Sequence, residues 1–115
     1  MTNGQSIKQI KQYLFEQFSL TEEQIETMLP GFISTLVSHM QNLENALVEN
    51  NPTTMGRAAH TIKGAFLNLG LEECAQTASL IEEKGKAGDM TTDFQKLIND
   101  LRCCLDPVIS PLQPE

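Results

Sequence analysis

The chain has 115 residues, a length that suits one domain with a single core and leaves little room for a second. Eight Lys and Arg face fifteen Asp and Glu, for a formal net charge of -7, which excludes a chain-wide electrostatic attraction to nucleic acid or to an anionic membrane. Trp is absent, Tyr occurs once, and Leu, Ala, Glu, Gln and Lys are abundant, a composition that favours helices.

The opening MTNGQSIKQIKQ lacks the charged, apolar and small-residue zones of a signal peptide. No apolar run approaches the roughly 20 residues that span a bilayer. The expectation is a cytoplasmic chain that binds neither membrane nor nucleic acid. Periodic apolar positions Ile7, Ile10, Leu14, Phe15 and Phe18 predict a first amphipathic helix over about 5–18. Thr21 followed by Gln24 is an N-cap signal for the next helix. Pro30-Gly31 then either ends a short helix near Leu29 or interrupts a longer one. Beyond it, Phe32, Ile33, Leu36, Met40, Leu43, Ala46 and Leu47 form one apolar stripe that should stop at Asn50-Asn51.

Asn51-Pro52 pairs a capping side chain with a proline at the first helical position. The helix it opens should run to about Leu69, with Gly70 as its stop. A further helix is predicted over 71–86 on Leu71, Cys74, Ala75, Ala78 and Ile81, with Gly85 to Asp89 as the next turn. The last, over 92–105, carries Phe94, Leu97, Ile98, Leu101 and Leu105, and Asp106-Pro107 should end it, leaving 107–115 as a flexible tail. Short connections between long amphipathic helices imply an all-α fold. The expected architecture is an antiparallel up-down four-helix bundle with one or two additional short N-terminal helices, in a single domain over 1–115 with its core at about 30–105.

Cys74, Cys103 and Cys104 have spacings that suit neither a zinc site nor a disulfide framework. Cys74 reads as a small buried hydrophobe, and the adjacent Cys103 and Cys104 as reduced thiols, a strained vicinal disulfide being the minor alternative. No residue of the chain is expected to bind a metal or cofactor.

The chemistry is concentrated in PTTMGRAAHTIKGAFLNLG, residues 52–70. At about 100° per residue, Met55, Ala59, Ile62, Phe66 and Leu69 share the core side. His60 falls almost opposite, with Gly56, Lys63, Gly64 and Leu67. A glycine inside a helix costs roughly 0.8–1 kcal/mol relative to alanine. Two of them, one turn before and one turn after the same histidine, imply a close approach to the helix backbone. Lys63 and Arg57 put positive charge within reach of anything attached to the ring, and a phosphoryl group is a suitable guest. Neutral imidazole is a nucleophile near pH 7, and a hydrogen bond to one ring nitrogen leaves the other free to react. His60 lies about as far before Gly70 as Glu82 lies after it, so an antiparallel hairpin brings the two level. Glu82 is therefore a candidate to accept from Nδ1–H. The bland readings stay beside these: solvated charges for Lys63 and Arg57, a surface carboxylate for Glu82, a structural histidine for His39, and core filling for the methionines.

Ala59-His60-Thr61-Ile62-Lys63-Gly64, continued by Ala65-Phe66-Leu67-Asn68-Leu69-Gly70, resembles the AHxLKGxxxxxG signature of histidine-containing phosphotransfer (HPt) domains. Ile62 replaces the usual leucine. Phe32 with the Leu43/Leu47 stripe resembles the preceding helix of that family, and Leu80-Ile81-Glu82 the following one. The resemblance covers about 80 residues, from near Pro30 to Leu105, and leaves the first helix unassigned. It implies a phosphocarrier in two-component phosphorelays, with His60 as phosphoacceptor, Lys63 and Gly64 shaping its surroundings, and Glu82 orienting the ring. The implied partners are the receiver domains of a hybrid sensor kinase and of a response regulator. Magnesium is implied on the receiver's acidic pocket and not on this chain. Gly56, Arg57, Leu67 and Lys84 are expected to complete the partner-binding patch on a monomer. No Gly-rich nucleotide loop is present, so no autonomous kinase activity is expected. Direct phosphorylation of His60 by a separate kinase domain is a related possibility. The alternatives are a non-catalytic module that docks or sequesters a receiver domain and, more weakly, a structural helical module.

Overall fold

A computed structural model describes residues 7–109. Among them the chain forms five helices and no strand: α1 (Ile7–Phe18), α2 (Glu22–Val48), α3 (Pro52–Asn68), α4 (Glu72–Lys86) and α5 (Phe94–Ile109). The all-α fold is therefore as expected. Residues 1–6 and 110–115, which include the first two residues of the predicted first helix and most of the predicted tail, lie outside the described residues.

Local chemistry explains most of the boundaries. Thr21 accepts from the backbone N–H of Gln24, whose side chain accepts in return from the N–H of Thr21, a reciprocal cap that starts α2 and contributes about 1 kcal/mol. Asn51 caps α3 through the N–H of Thr54, with Pro52 at its first position. Gly70 follows α3 at φ +74, where a Cβ would also lie 2.5 Å from the Tyr13 ring, so backbone conformation and the packing of α1 both require glycine.

Neither Pro30 nor Pro107 ends its helix. Of the two outcomes at Pro30, the longer helix holds: α2 runs through it without ending. Ile25 and Leu29 before it and Ile33 and Leu36 after it are all buried on one stripe, so ending the helix would forfeit about 1.5–3 kcal/mol for each side chain uncovered. Pro30 and Glu26 are exposed, so the Glu26 carbonyl that loses its helical donor faces water. The second N-terminal helix is thus absorbed into α2. At the other end, α5 does not stop at Asp106-Pro107 but continues to Ile109. Leu101 and Leu105 anchor its last turns, and the carbonyl that Pro107 leaves without a donor belongs to the exposed Cys103.

α2 touches α3 and α5, and α4 touches α3 and α5, so four helices close a ring around the core. Leu36, Leu43, Met55, Ile62, Phe66 and Ile98 are among its fully buried side chains. α3 and α4 are an antiparallel hairpin, since Gly56 meets Gly85 at one end while the turn at Gly70 joins the other. α1 packs on α2 through Ile10 and Leu14, and reaches the hairpin turn through Gln9, whose amide donates to the Gly70 carbonyl at 3.4 Å. No helix among the described residues is long and apolar enough to cross a membrane.

Candidate functional site

The α3–α4 hairpin builds the site. Two glycines let its helices approach closely: a Cβ on Gly85 would lie 2.6 Å from the Pro52 carbonyl oxygen and 2.8 Å from the Gly56 nitrogen. One on Gly56 would lie 3.1 Å from the Lys86 nitrogen. Side chains further along therefore meet across a narrow groove. His60 on α3 keeps 63 % of its side chain exposed, whereas Glu82 on α4 lies in the groove with 11 %.

Glu82 is the hub. His60 Nδ1 lies 2.7 Å from its Oε2, Lys86 Nζ lies 2.8 Å from the same oxygen, and Lys63 Nζ lies 2.6 Å from Oε1. The Lys63 ammonium foremost, then that of Lys86, hold the Glu82 carboxyl at about 2 against an opposing contribution from burial, and the His60 ring adds a lesser lowering. Glu82 is thus ionised at neutral pH and can only accept hydrogen bonds. The contact with His60 therefore requires the proton on Nδ1, so a neutral His60 ring carries its lone pair on Nε2.

The other candidate residues divide. Gly64, one turn after His60, is exposed, and a Cβ there would meet nothing within 4 Å. The missing side chain leaves open surface beside the imidazole. Leu67, 47 % exposed, lies on the same side of α3. Arg57 is exposed and makes no ion pair among the described residues. It lines a small groove with Asn42, Ala58, Thr54, Thr61 and the half-buried His39. Gly56 requires a correction. It is buried, and the close approach that its missing side chain permits is that of α4, so it does not contribute to a docking patch. Lys84 is also displaced, pairing at 3.9 Å with Asp89 in the following turn.

Lys86 and Gly85 were missed from sequence. Lys86 stands four residues after Glu82, the spacing that places side chains on one helix face, whereas Lys84 at two residues points elsewhere. Gly85 lies 15 residues after Gly70 (85 − 70) and Gly56 lies 14 before it (70 − 56), a near-symmetry about the turn that was available to find it.

α1 adds a feature that the sequence left unassigned. Its Leu14 and Phe18 join Met28 and Phe32 of α2, Ala65 of α3 and Leu69 just after it around an open apolar groove of about 520 Å³. Among the described residues no group of three or more His, Cys, Asp and Glu is placed to hold a metal ion.

Compared with models of known families, residues 27–105, well over half of the chain, match that of the Hpt domain. No curated protein and no solved structure gives a match.

Proposed function

The chain belongs to the Hpt domain family, and from that premise we propose that it is a cytoplasmic phosphorelay carrier in which His60 Nε2 takes a phosphoryl group from one receiver aspartate and yields it to another. Histidine phosphotransfer in phosphorelays is the family's general role. The assignment of parts within this chain is ours. The observation that carries it is the pairing of an exposed imidazole with an ionised, cation-clasped carboxylate at 2.7 Å.

Nε2 attacks phosphorus in line with the departing aspartyl oxygen. A P–N bond forms as the acyl-phosphate P–O bond breaks, and the receiver aspartate leaves as a carboxylate. The ring becomes cationic, and Glu82, already accepting from Nδ1–H, stabilises that charge. Lys63 and Lys86 keep Glu82 ionised and hold it toward the ring. Open surface at Gly64 and apolar contact at Leu67 admit the receiver's active-site face, and the uncommitted charge of Arg57 complements its acidic pocket. The reading puts magnesium on the receiver, where it supplies charge neutralisation for the phosphoryl oxygens. On this chain the carboxylate at the site is already clasped by two ammonium groups, a poor setting for a further cation.

Incubation with a phosphorylated receiver tests this. Wild type should gain an acid-labile, base-stable label that His60→Gln does not. Equal labelling of the two would refute His60 as acceptor. Tight receiver binding with no label on either would favour a sequestering module instead.

A further inference from the structure

His60 has two flanks. At about 100° per residue, Gly56 and Lys63 fall on the one toward α4, where Glu82 is clasped, and Arg57 and Thr61 on the one toward α2. On that second flank α2 and α3 enclose two grooves set end to end. Met28, Phe32 and Thr35 of α2 line the apolar groove beside α1, while His39 and Asn42, further along the same stripe, line the other. On α3 the step from Thr61 to Ala65, a single turn, passes from the second groove to the first. One furrow therefore runs beside the imidazole, apolar toward α1 and polar toward the start of α3.

The polar end, of about 270 Å³, is rich in hydrogen-bond donors. The guanidinium of Arg57, one turn before His60, makes no ion pair among the described residues. The half-buried His39 ring, the Asn42 amide and the Thr54 hydroxyl line the groove with it. No carboxylate does so among the described residues, although Asp and Glu outnumber Lys and Arg by fifteen to eight along the chain.

We propose that this end of the furrow is a carboxylate-binding subsite for the docked receiver, holding between His39 and Arg57 an Asp or Glu side chain that borders the receiver's acidic pocket. The subsite rests on the phosphocarrier reading, because docking on His60 lays the receiver's face over the furrow. A guanidinium matches a carboxylate with two parallel N–H donors, and the His39 ring and Asn42 amide each add another. A receiver lacking that carboxylate leaves Arg57 unmatched. The subsite thus discriminates among receivers, whereas the Glu82 clasp acts on the ring whichever receiver is bound.

The test takes the full chain and a panel of phosphorylated receivers, and measures binding of the fastest donor, unphosphorylated, separately from labelling. Arg57→Ala should raise Kd about 5-fold, the upper end for an ion pair that solvent reaches, and flatten its salt dependence. His39→Gln should raise Kd by a smaller factor, and the His39 ring signals in NMR should shift as receiver is added. Arg57→Lys supplies an amine, which carbodiimide should join as an amide to an Asp or Glu of the receiver. Wild-type affinity and salt slope in Arg57→Ala would overturn the subsite, as would His39 signals that respond to inorganic phosphate but not to receiver. Labelling of His60 would still uphold the carrier reading in either case. No label on wild type from any receiver would refute that reading and the subsite with it.

Discussion

His60 Nδ1 and Glu82 Oε2 stand 2.7 Å apart, joining an exposed ring on one helix to a nearly buried carboxylate on the next. The contact ties the tautomer of the ring to the ionisation of its neighbour. Its lysine partners, at 2.6 and 2.8 Å, make that ionisation robust.

Removing the carboxylate tests the coupling directly. Glu82→Ala is expected to slow phosphoryl acceptance about 100-fold, the lower end of the usual range for losing one preorganised electrostatic partner. It should also shift the ring toward the Nε2–H tautomer in nitrogen NMR. Glu82→Gln, whose amide oxygen can still accept from Nδ1–H, should retain most of the tautomer preference. Unchanged rate and tautomer in Glu82→Ala would remove Glu82 from the mechanism.

Acid stability should carry the imprint of the same residue. Its carboxyl falls from an ordinary 4.5 to about 2 in the folded chain, so the stability it contributes is complete above about 4.5 and is lost as pH drops toward 2. Urea midpoints measured across that window should fall more steeply for wild type than for Glu82→Gln. Parallel curves would mean that the clasp adds nothing to folding.

The glycines of the hairpin should separate by role. Gly85→Ala would set a Cβ 2.6 Å from the Pro52 carbonyl oxygen and is expected to cost about 1–3 kcal/mol by denaturant unfolding. Gly64→Ala meets nothing and should stabilise the helix by about 0.8–1 kcal/mol. Gly64→Leu should fold comparably well but slow transfer from a receiver, while leaving chemical phosphorylation of His60 by a small phosphodonor intact. Equal loss with both donors would show that open surface at Gly64 does not serve docking.

The two lysines should differ in stability more than in kinetics. Lys86 is the more exposed, and Lys86→Ala is expected to cost no more than about 0.5 kcal/mol. Lys63 keeps 27 % of its side chain exposed, and Lys63→Glu would press a second carboxylate against Glu82. That charge reversal should therefore disturb folding as well as transfer, so Lys63→Met is the cleaner variant. Each should slow transfer less than Glu82→Ala does.

The fold class, the caps at Thr21 and Asn51, the stop at Gly70 and the outward placement of His60 could be read from the chain itself. Such features arise from neighbours within about four residues, where periodicity and side-chain capping act. The level placement of His60 and Glu82 was also available, because a tight turn fixes the register of the antiparallel helices around it. What lies between helices was not. Whether Pro30 and Pro107 end their helices depends on how much apolar surface is buried beyond them. Whether Gly56 faces a partner or α4 depends on helix separation, set by Gly85 on the other strand of the hairpin. Lys86, and not Lys84, reaches the carboxylate. Local sequence specifies which face of a helix is apolar. Only the packed bundle determines how near two faces come, because that distance is the joint outcome of every side chain in the interface.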